Sequence, residues 1–267
     1  MKKTPRKGIY LLPNLVTTAA LFSGFYAILA GMNGQFEKAA VAVFVAMLLD
    51  GLDGRVARWT NTQSEFGEQY DSLSDLVSFG LAPALVMYQW SLVHMKDVSI
   101  AWGKLGWMAA FIYVACAALR LARFNVQIEQ VDKRFFIGLP SPASAGIVVG
   151  FIWVLYDLDV AGKDVQIPAL LMTIAAGLLM VSNVKYSSFK DIDLKNKVPH
   201  LAILGVVLIF ALVQVDPPKI LFSIFAVYAL SGPFHWLKGR KNPSSDLASF
   251  DNEEIAEKSP TEDDASK

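Results

Sequence analysis

The chain has 267 residues, 54% of them hydrophobic, and a mean hydropathy of +0.41. This composition is too apolar for one soluble domain and predicts a protein that crosses a membrane several times. The formal net charge is zero, which gives no indication of a nucleic-acid partner, and we expect none. The single cysteine, Cys116, excludes a disulfide framework.

Apolar stretches follow one another along most of the chain, each near the ~17–25 residues that a helix needs to cross a bilayer. They lie at residues 10–31, 37–58, 69–94, 104–126, 143–160, 167–183, 200–216 and 218–237. Continuous apolar runs favour helices over barrel strands, in which apolar and polar residues alternate. We therefore predict an all-α fold, an integral membrane helical bundle of about eight transmembrane helices.

The lysines and arginines are distributed unevenly between the two sides of this bundle. Up to residue 241, 17 of them fall in segments on the side of the N-terminus and five in segments on the other side. Because basic residues concentrate in cytoplasmic loops, both termini are expected in the cytoplasm. We predict a protein of the cytoplasmic (inner) membrane.

The composition changes sharply after Trp236. The last residues are rich in Ser, Asp, Glu, Lys and Pro and have no hydrophobic pattern. Such a segment cannot bury enough apolar surface to fold. We predict one transmembrane domain over residues 1–238 and a disordered cytoplasmic tail over residues 239–267.

Four aspartates lie where the second apolar stretch ends and the third begins. A carboxylate inside a bilayer costs roughly 2.5–3.5 kcal/mol even on a lenient insertion scale, so four together need a compensating partner. Asp50 and Asp53 are three residues apart and Asp71 and Asp75 are four apart, so each pair lies on one helix face. Two such helices facing each other would place all four carboxylates around one point. Carboxylate ligands without nearby Cys or His favour Mg²⁺ or Mn²⁺ over Zn²⁺, and we predict a site for two such ions.

Two other interpretations of these aspartates remain open. They could be helix-end charges paired with Arg55 and Arg58, although four carboxylates exceed the local cations. They could instead bind a permeating cation in a transporter, which would need polar groups along a path through several spans. The later spans hold almost no ionisable residues, which favours an enzyme.

The pattern D-x2-D-G-x2-A-R-x8-G-x3-D-x3-D covers this region. Its fixed positions are Asp50, Asp53, Gly54, Ala57, Arg58, Gly67, Asp71 and Asp75. On these residues the chain resembles the CDP-alcohol phosphatidyltransferases. Three later segments, Arg120–Asn125, Gly138–Pro142 and Ser182–Tyr186, look like the membrane-embedded (type II) phosphatidylserine synthases within that family.

This resemblance implies an activity and its partners. The enzyme would transfer a phosphatidyl group from CDP-diacylglycerol, a membrane lipid, to L-serine by direct displacement, and it would form a homodimer. An attacking hydroxyl needs a proton acceptor, and the family carries that role at the position of Asp75. Another acceptor, glycerol 3-phosphate or an inositol phosphate, remains an alternative.

Several residues near the aspartates are candidates for binding the substrate. Gly54 and Gly67 have no side chains, so a nucleotide can approach the helix backbone closely. Arg58 can pair with a phosphate oxygen, and Ala57 belongs to the same family pattern. Asn14 and Thr17 in the first span could face the nucleotide or could bond to helix carbonyls.

Arg120 and Arg123 lie at the cytoplasmic end of the fourth span, at the depth expected for the aspartates. They are three residues apart, so both can face one cavity. We predict that at least one binds the carboxylate of serine or a substrate phosphate, because a planar guanidinium suits both groups. The alternative is that they anchor the helix end at the positive inner side.

Overall fold

The computed structural model describes residues 11–60, 62, 64–127, 135–187, 205, 208 and 211–240. The α-helices with described bounds are α1 (Leu11–Met32), α2 (Phe36–Thr60), α3 (Glu65–Asp75), α4 (Ala82–Trp90), α5 (Ile100–Gln127), α6 (Ser141–Asp157), α7 (Gln166–Val181) and α8 (Pro217–Arg240). A π-helical segment joins α3 to α4 at Leu76–Leu81, and short 3-10 helices lie at Leu92–Asp97 and Gly162–Val165. The predicted all-α membrane bundle is confirmed as a fold class, whereas the number of eight spans stays a prediction.

Three helical stretches of the described chain are long and apolar enough to cross a membrane. They are Leu12–Met32, Ile100–Val126 and Gly162–Val181. Helix α2 has 25 residues, which is also long enough, but it carries Asp50, Asp53 and further charged residues that lower its mean hydropathy. The predicted span at 200–216 falls mostly outside the described residues. So does the predicted tail, apart from residues 239 and 240, which end α8.

Helices α1 and α2 form an antiparallel pair that carries one half of the acidic cluster. Small residues line their contact, since Ala27, Ala39 and Ala40 are completely buried. Small side chains allow the two backbones to approach closely, which is how helices associate in the absence of a hydrophobic driving force. The Ser23 hydroxyl also donates a hydrogen bond to the Ala42 carbonyl at 2.8 Å. This contact fixes α2, and therefore its aspartates, against α1.

The third predicted span, residues 69–94, is not one regular helix. It consists of α3, the π-helical segment and α4 in one continuous run, followed by the 3-10 helix Leu92–Asp97. Pro83 near the start of α4 offers a physical reason, since proline removes a helix donor and crowds the carbonyl four residues earlier. The interruption comes directly after Asp75.

A two-stranded antiparallel sheet lies between helices on the same side of the bundle as the aspartates. Strand β1 (Phe135–Ile137) pairs with β2 (Lys185–Ser187), with Phe136 opposite Tyr186. Gly138 follows with φ of +81°, a conformation that glycine adopts without strain, and an added Cβ would lie 2.2 Å from the Met180 carbonyl oxygen. The sheet therefore ties the start of α6 to the end of α7, and it was not predicted.

Candidate active site

The C-terminal half of α2 and the last two turns of α3 bring the four predicted aspartates together. One carboxylate oxygen from each of Asp50, Asp53 and Asp71 lies within 4.8 Å of the others. Asp75 completes the cluster, because its carboxyl group lies within hydrogen-bond reach of that of Asp50. The carboxyl groups of Asp53 and Asp71 are in contact in the same way. The spacing argument from the sequence therefore places these residues correctly. We refer to the four residues as the aspartate cluster.

Helix α1 supplies the hydrogen bonds that orient one side of the cluster. The Thr17 hydroxyl lies 2.8 Å from Asp53 Oδ2 and 3.1 Å from the Pro13 carbonyl. Ser74, one residue before Asp75, donates to the Thr17 carbonyl at 3.3 Å. Thr17 and Asp53 are both buried, so this contact holds a carboxylate in a fixed direction. Thr17 thus bonds to a helix carbonyl, one of the two options that the sequence leaves open, and it also supports a cluster residue.

The chemistry of the cluster fits a hard divalent cation. All its donors are carboxylate oxygens, which Mg²⁺ and Mn²⁺ prefer. Asp71 Oδ1 is buried and has no hydrogen-bond partner among the described residues. A buried carboxylate oxygen without a partner is costly, and a bound cation would satisfy it.

A pocket opens beside Asp53 and Asp71 between α1, α2 and α3. Its lining includes five residues that the sequence predicted to bind substrate: Asn14, Gly54, Ala57, Arg58 and Gly67. A Cβ added at Gly54 would meet nothing within 4 Å, so the glycine leaves open space in front of the helix backbone. Ser64 caps α3 by accepting a hydrogen bond from the Gly67 amide at 3.1 Å. Thr17, also a candidate from the sequence, lies in the wall, and Pro13, Thr62, Ser64 and Glu68 complete it without having been predicted.

Arg120 lies on the opposite side of the aspartate cluster, beside Asp75 and Asp50. Its guanidinium interacts electrostatically with both carboxylates, and Nη1 donates to the Ser141 hydroxyl at 2.6 Å. Arg123 donates instead to the Asn183 side-chain oxygen at 2.9 Å. Neither arginine is among the residues that line the pocket beside Asp53. Arg120 therefore occupies a second part of the site, whereas Arg123 bonds to Asn183, just after the end of α7.

The partners of Arg120 could not be predicted from its own helix. Ser141 begins α6 and is buried, and it lies in the segment Gly138–Pro142 on which the chain resembles the phosphatidylserine synthases. The contact with Arg120 connects this segment to the aspartate cluster. Tyr228 of α8 also lies close enough to Arg120 to interact with it. Only the packing of helices that are distant in sequence brings these groups together.

Comparison with known proteins identifies relatives over most of the chain. The family model described as CDP-alcohol phosphatidyltransferase matches residues 10–213. A protein of Helicobacter pylori named CDP-diacylglycerol–serine O-phosphatidyltransferase is 37% identical over 236 residues, 87% of this chain and 94% of the relative. One of the same name from Methanocaldococcus jannaschii is 32% identical over 231 residues, 86% of this chain and 96% of the relative. An archaetidylserine synthase of Methanothermobacter thermautotrophicus is 34% identical over 177 residues, 66% of this chain and 69% of the relative.

Proposed function

The chain belongs to the CDP-alcohol phosphatidyltransferase family, and from this premise we propose that it transfers a phosphatidyl group from CDP-diacylglycerol to L-serine. The products are phosphatidylserine and CMP. Serine is favoured over other acceptors because the names of the three relatives above all contain it. The observation that carries the proposal is the aspartate cluster with a lined pocket on one side and Arg120 on the other.

The pocket beside Asp53 is the proposed site for the CDP part of the donor. Gly54 leaves room for the nucleotide against the backbone of α2, and the Arg58 guanidinium can pair with a phosphate oxygen. Asn14 supplies an amide that can bond to the nucleotide from the opposite wall. The diphosphate then lies next to Asp53 and Asp71, at the mouth of the aspartate cluster.

Asp50, Asp53 and Asp71, together with Asp75, would hold the divalent ions of the site. When bound, Mg²⁺ or Mn²⁺ neutralises charge on the diphosphate and stabilises the leaving oxygen. We expect two ions. We expect Asp71 Oδ1 to be a ligand of one of them on physical grounds, because it is buried and has no hydrogen-bond partner among the described residues.

Arg120 and Asp75 lie on the side of the cluster where we propose that serine, the acceptor alcohol, binds. The Arg120 guanidinium binds the carboxylate of serine, held in direction by its bond to Ser141. The serine hydroxyl attacks the lipid-side phosphorus, where a new P–O bond forms while the P–O bond to CMP breaks. Asp75 accepts the hydroxyl proton. No covalent enzyme intermediate is formed.

An acceptor panel tests this function. Purified protein is incubated with CDP-diacylglycerol, Mg²⁺ or Mn²⁺, and labelled serine, glycerol 3-phosphate or an inositol phosphate. We expect labelled phosphatidylserine and an equal amount of CMP. Product from another acceptor with none from serine would show that the acceptor is wrong. Failure to release CMP with any acceptor, together with cation uptake into proteoliposomes, would favour a transporter.

We further propose a homodimer in the cytoplasmic membrane with both termini in the cytoplasm. The family resemblance supports the dimer, and the excess of basic residues in alternate loops supports the orientation. Crosslinking in native membranes checks the homodimer. The orientation is checked by replacing Cys116 with alanine, placing a single cysteine at either terminus and labelling it from one side of the membrane.

A further inference from the structure

The π-helical segment Leu76–Leu81 follows Asp75 without a break in the helix. Its last turn closes with a hydrogen bond from the Ala82 amide to the Val77 carbonyl, five residues back instead of four. Such a wide turn accommodates one extra residue, and wide turns of this kind occur frequently at functional sites. The extra residue therefore lies between the helix half that carries Asp71 and Asp75 and the half that packs in the core.

Pro83 explains why the helix widens at this point, and Tyr113 compensates for the change. In a regular α-helix the Phe79 carbonyl would accept a hydrogen bond from the amide of residue 83, but proline has no amide hydrogen. The Tyr113 hydroxyl of α5 donates to the Phe79 carbonyl instead, at 3.1 Å. Both side chains are fully buried. A side chain from α5 thus satisfies a carbonyl that the sequence of α4 leaves without its usual donor.

The wide turn also keeps the outer faces of α3 and α4 aligned. Leu73 and Leu85 are both exposed, and they are twelve residues apart. In an uninterrupted α-helix this separation would place them roughly 120° apart around the axis. Accommodating one extra residue leaves an effective separation of eleven, or roughly 20°. The widening thus allows the aspartates to face the cluster while α4 keeps its inner face in the core.

Neighbouring helices hold the π-helical segment from two sides. The Ser78 hydroxyl donates to the Ala20 carbonyl of α1 at 3.2 Å. On the other side, a Cβ added at Gly80 would lie 3.3 Å from Cβ of Ala117, so α5 packs closely there. Tyr113 lies two helical turns before Arg120 on α5. Its hydroxyl is therefore a direct link between the helix of Arg120 and the turn that follows Asp75.

We propose that Tyr113 is a positioning residue for Asp75, acting through its hydrogen bond to the Phe79 carbonyl in the π-helical segment. This inference rests on the proposed role of Asp75 as proton acceptor. Without the hydroxyl, the wide turn loses one of its fixed contacts, and Asp75 is no longer held in the direction that the reaction needs. Substrate binding in the pocket beside Asp53 does not depend on this bond.

The test is Tyr113→Phe, which removes the hydroxyl and keeps the ring. The matched control is Tyr186→Phe, because the Tyr186 hydroxyl is also buried and donates to a helix carbonyl, that of Ala229, at 3.1 Å. We expect kcat of Tyr113→Phe to fall about five- to tenfold, the size of one lost buried hydrogen bond, with KM for CDP-diacylglycerol unchanged. Tyr186→Phe should keep its kcat while losing similar thermal stability. Equal losses of kcat in the two variants, or none in Tyr113→Phe, would overturn the proposal.

A double-mutant cycle with Asp75→Asn tests whether Tyr113 acts through Asp75. Residual turnover is followed with radiolabelled serine over hours. In the Asp75→Asn background, Tyr113→Phe should lower turnover by less than about twofold, because the two effects are not additive when one residue acts through the other. If Tyr113→Phe lowers turnover about five- to tenfold in the Asp75→Asn background as well, the proposal is overturned. Wild-type turnover in the single variant Asp75→Asn would instead overturn the proposed proton acceptor, and the two failures are thereby distinguished.

Discussion

The two sides of the aspartate cluster are built differently. The side of Asp53 and Asp71 is an open pocket, and its walls come from three helices that are consecutive in the chain. The side of Asp50 and Asp75 is closed by Arg120, whose partner Ser141 begins a helix further along the chain. The first side depends on three consecutive helices between residues 13 and 71, and the second depends on contacts between helices that are distant in the chain.

This difference has a chemical counterpart. Most of the open side, apart from Pro13, Asn14 and Thr17 of α1, lies in the segment of the pattern on which the chain resembles the CDP-alcohol phosphatidyltransferases, which suits the proposed donor nucleotide. The side of Arg120 lies outside that pattern, which suits recognition of the acceptor alcohol. We therefore expect substitutions on the two sides to affect different substrates, and substitutions at the cluster itself to affect the reaction as a whole.

The largest effect is expected at the cluster, where the two sides meet. Asp50→Asn or Asp71→Asn should abolish turnover in saturating Mg²⁺ or Mn²⁺, because each removes a charged ligand. Asp97→Asn serves as a control for the loss of one negative charge. The Asp97 carboxylate is exposed, and its Oδ2 lies 3.6 Å from His94 Nδ1. Turnover above about a tenth of wild type in either cluster variant, or full activity with Zn²⁺, would contradict the metal site.

Asp75→Asn separates proton transfer from donor binding. If Asp75 accepts the serine proton, turnover should fall roughly 10²–10⁴-fold. The affinity for CDP-diacylglycerol should change much less, because the proposed nucleotide site lies on the other side of the cluster. Equilibrium binding of CDP-diacylglycerol measures this directly. Equal losses of affinity and turnover would make Asp75 a structural ligand only.

The arginines test the comparison most sharply, since one lies on each side. Arg120→Lys should raise KM for serine by about tenfold, because a point charge lacks the planar fork. Arg58→Ala should raise KM for CDP-diacylglycerol and leave that for serine unchanged. Arg55→Ala is the control on the same helix, as Arg55 does not line the pocket. If Arg120→Lys and Arg123→Lys both leave KM and kcat unchanged, these residues only anchor the helix end.

The smallest effect is expected at Thr17, which supports Asp53 from behind. Thr17→Val keeps the shape and removes the 2.8 Å hydrogen bond to Asp53, which should cost about fivefold in kcat. Thr173→Val is the matched control, since the buried Thr173 hydroxyl donates only to the carbonyl four residues earlier, that of Ala169, at 2.7 Å. A loss of the same size in both variants would show that Thr17 contributes to stability and not to the site.

The comparison also shows which parts of the site could be predicted from the sequence. Asp50, Asp53, Asp71 and Asp75 were predicted correctly to lie together, because helical spacing alone orients each pair and the bilayer penalises isolated carboxylates. The bounds of α1 and α2 agree with the predicted spans to within two residues. These features depend on local periodicity and composition, which a single sequence contains.

Features that depend on contacts between distant segments were missed. The pairing of β1 with β2 joins three-residue strands that are about fifty residues apart, and strands this short have no detectable pattern. The bond from Arg120 to Ser141 joins α5 to the first residue of α6, and the two helices come together because both pack against α7 and the π-helical segment. The widened turn after Asp75 depends on Pro83 but also on Tyr113, which lies thirty residues further along the chain.

One measurement tests most directly whether donor and acceptor occupy the two sides at the same time. Labelled CMP is incubated with enzyme, metal ion and unlabelled CDP-diacylglycerol, with and without phosphatidylserine and serine. Direct displacement predicts that label enters CDP-diacylglycerol only when phosphatidylserine is present, either added or formed from added serine, because the reverse reaction transfers its phosphatidyl group to labelled CMP and releases serine. Rapid entry of label without serine and phosphatidylserine would contradict the two-sided site, because it requires a phosphatidyl group held covalently by the enzyme.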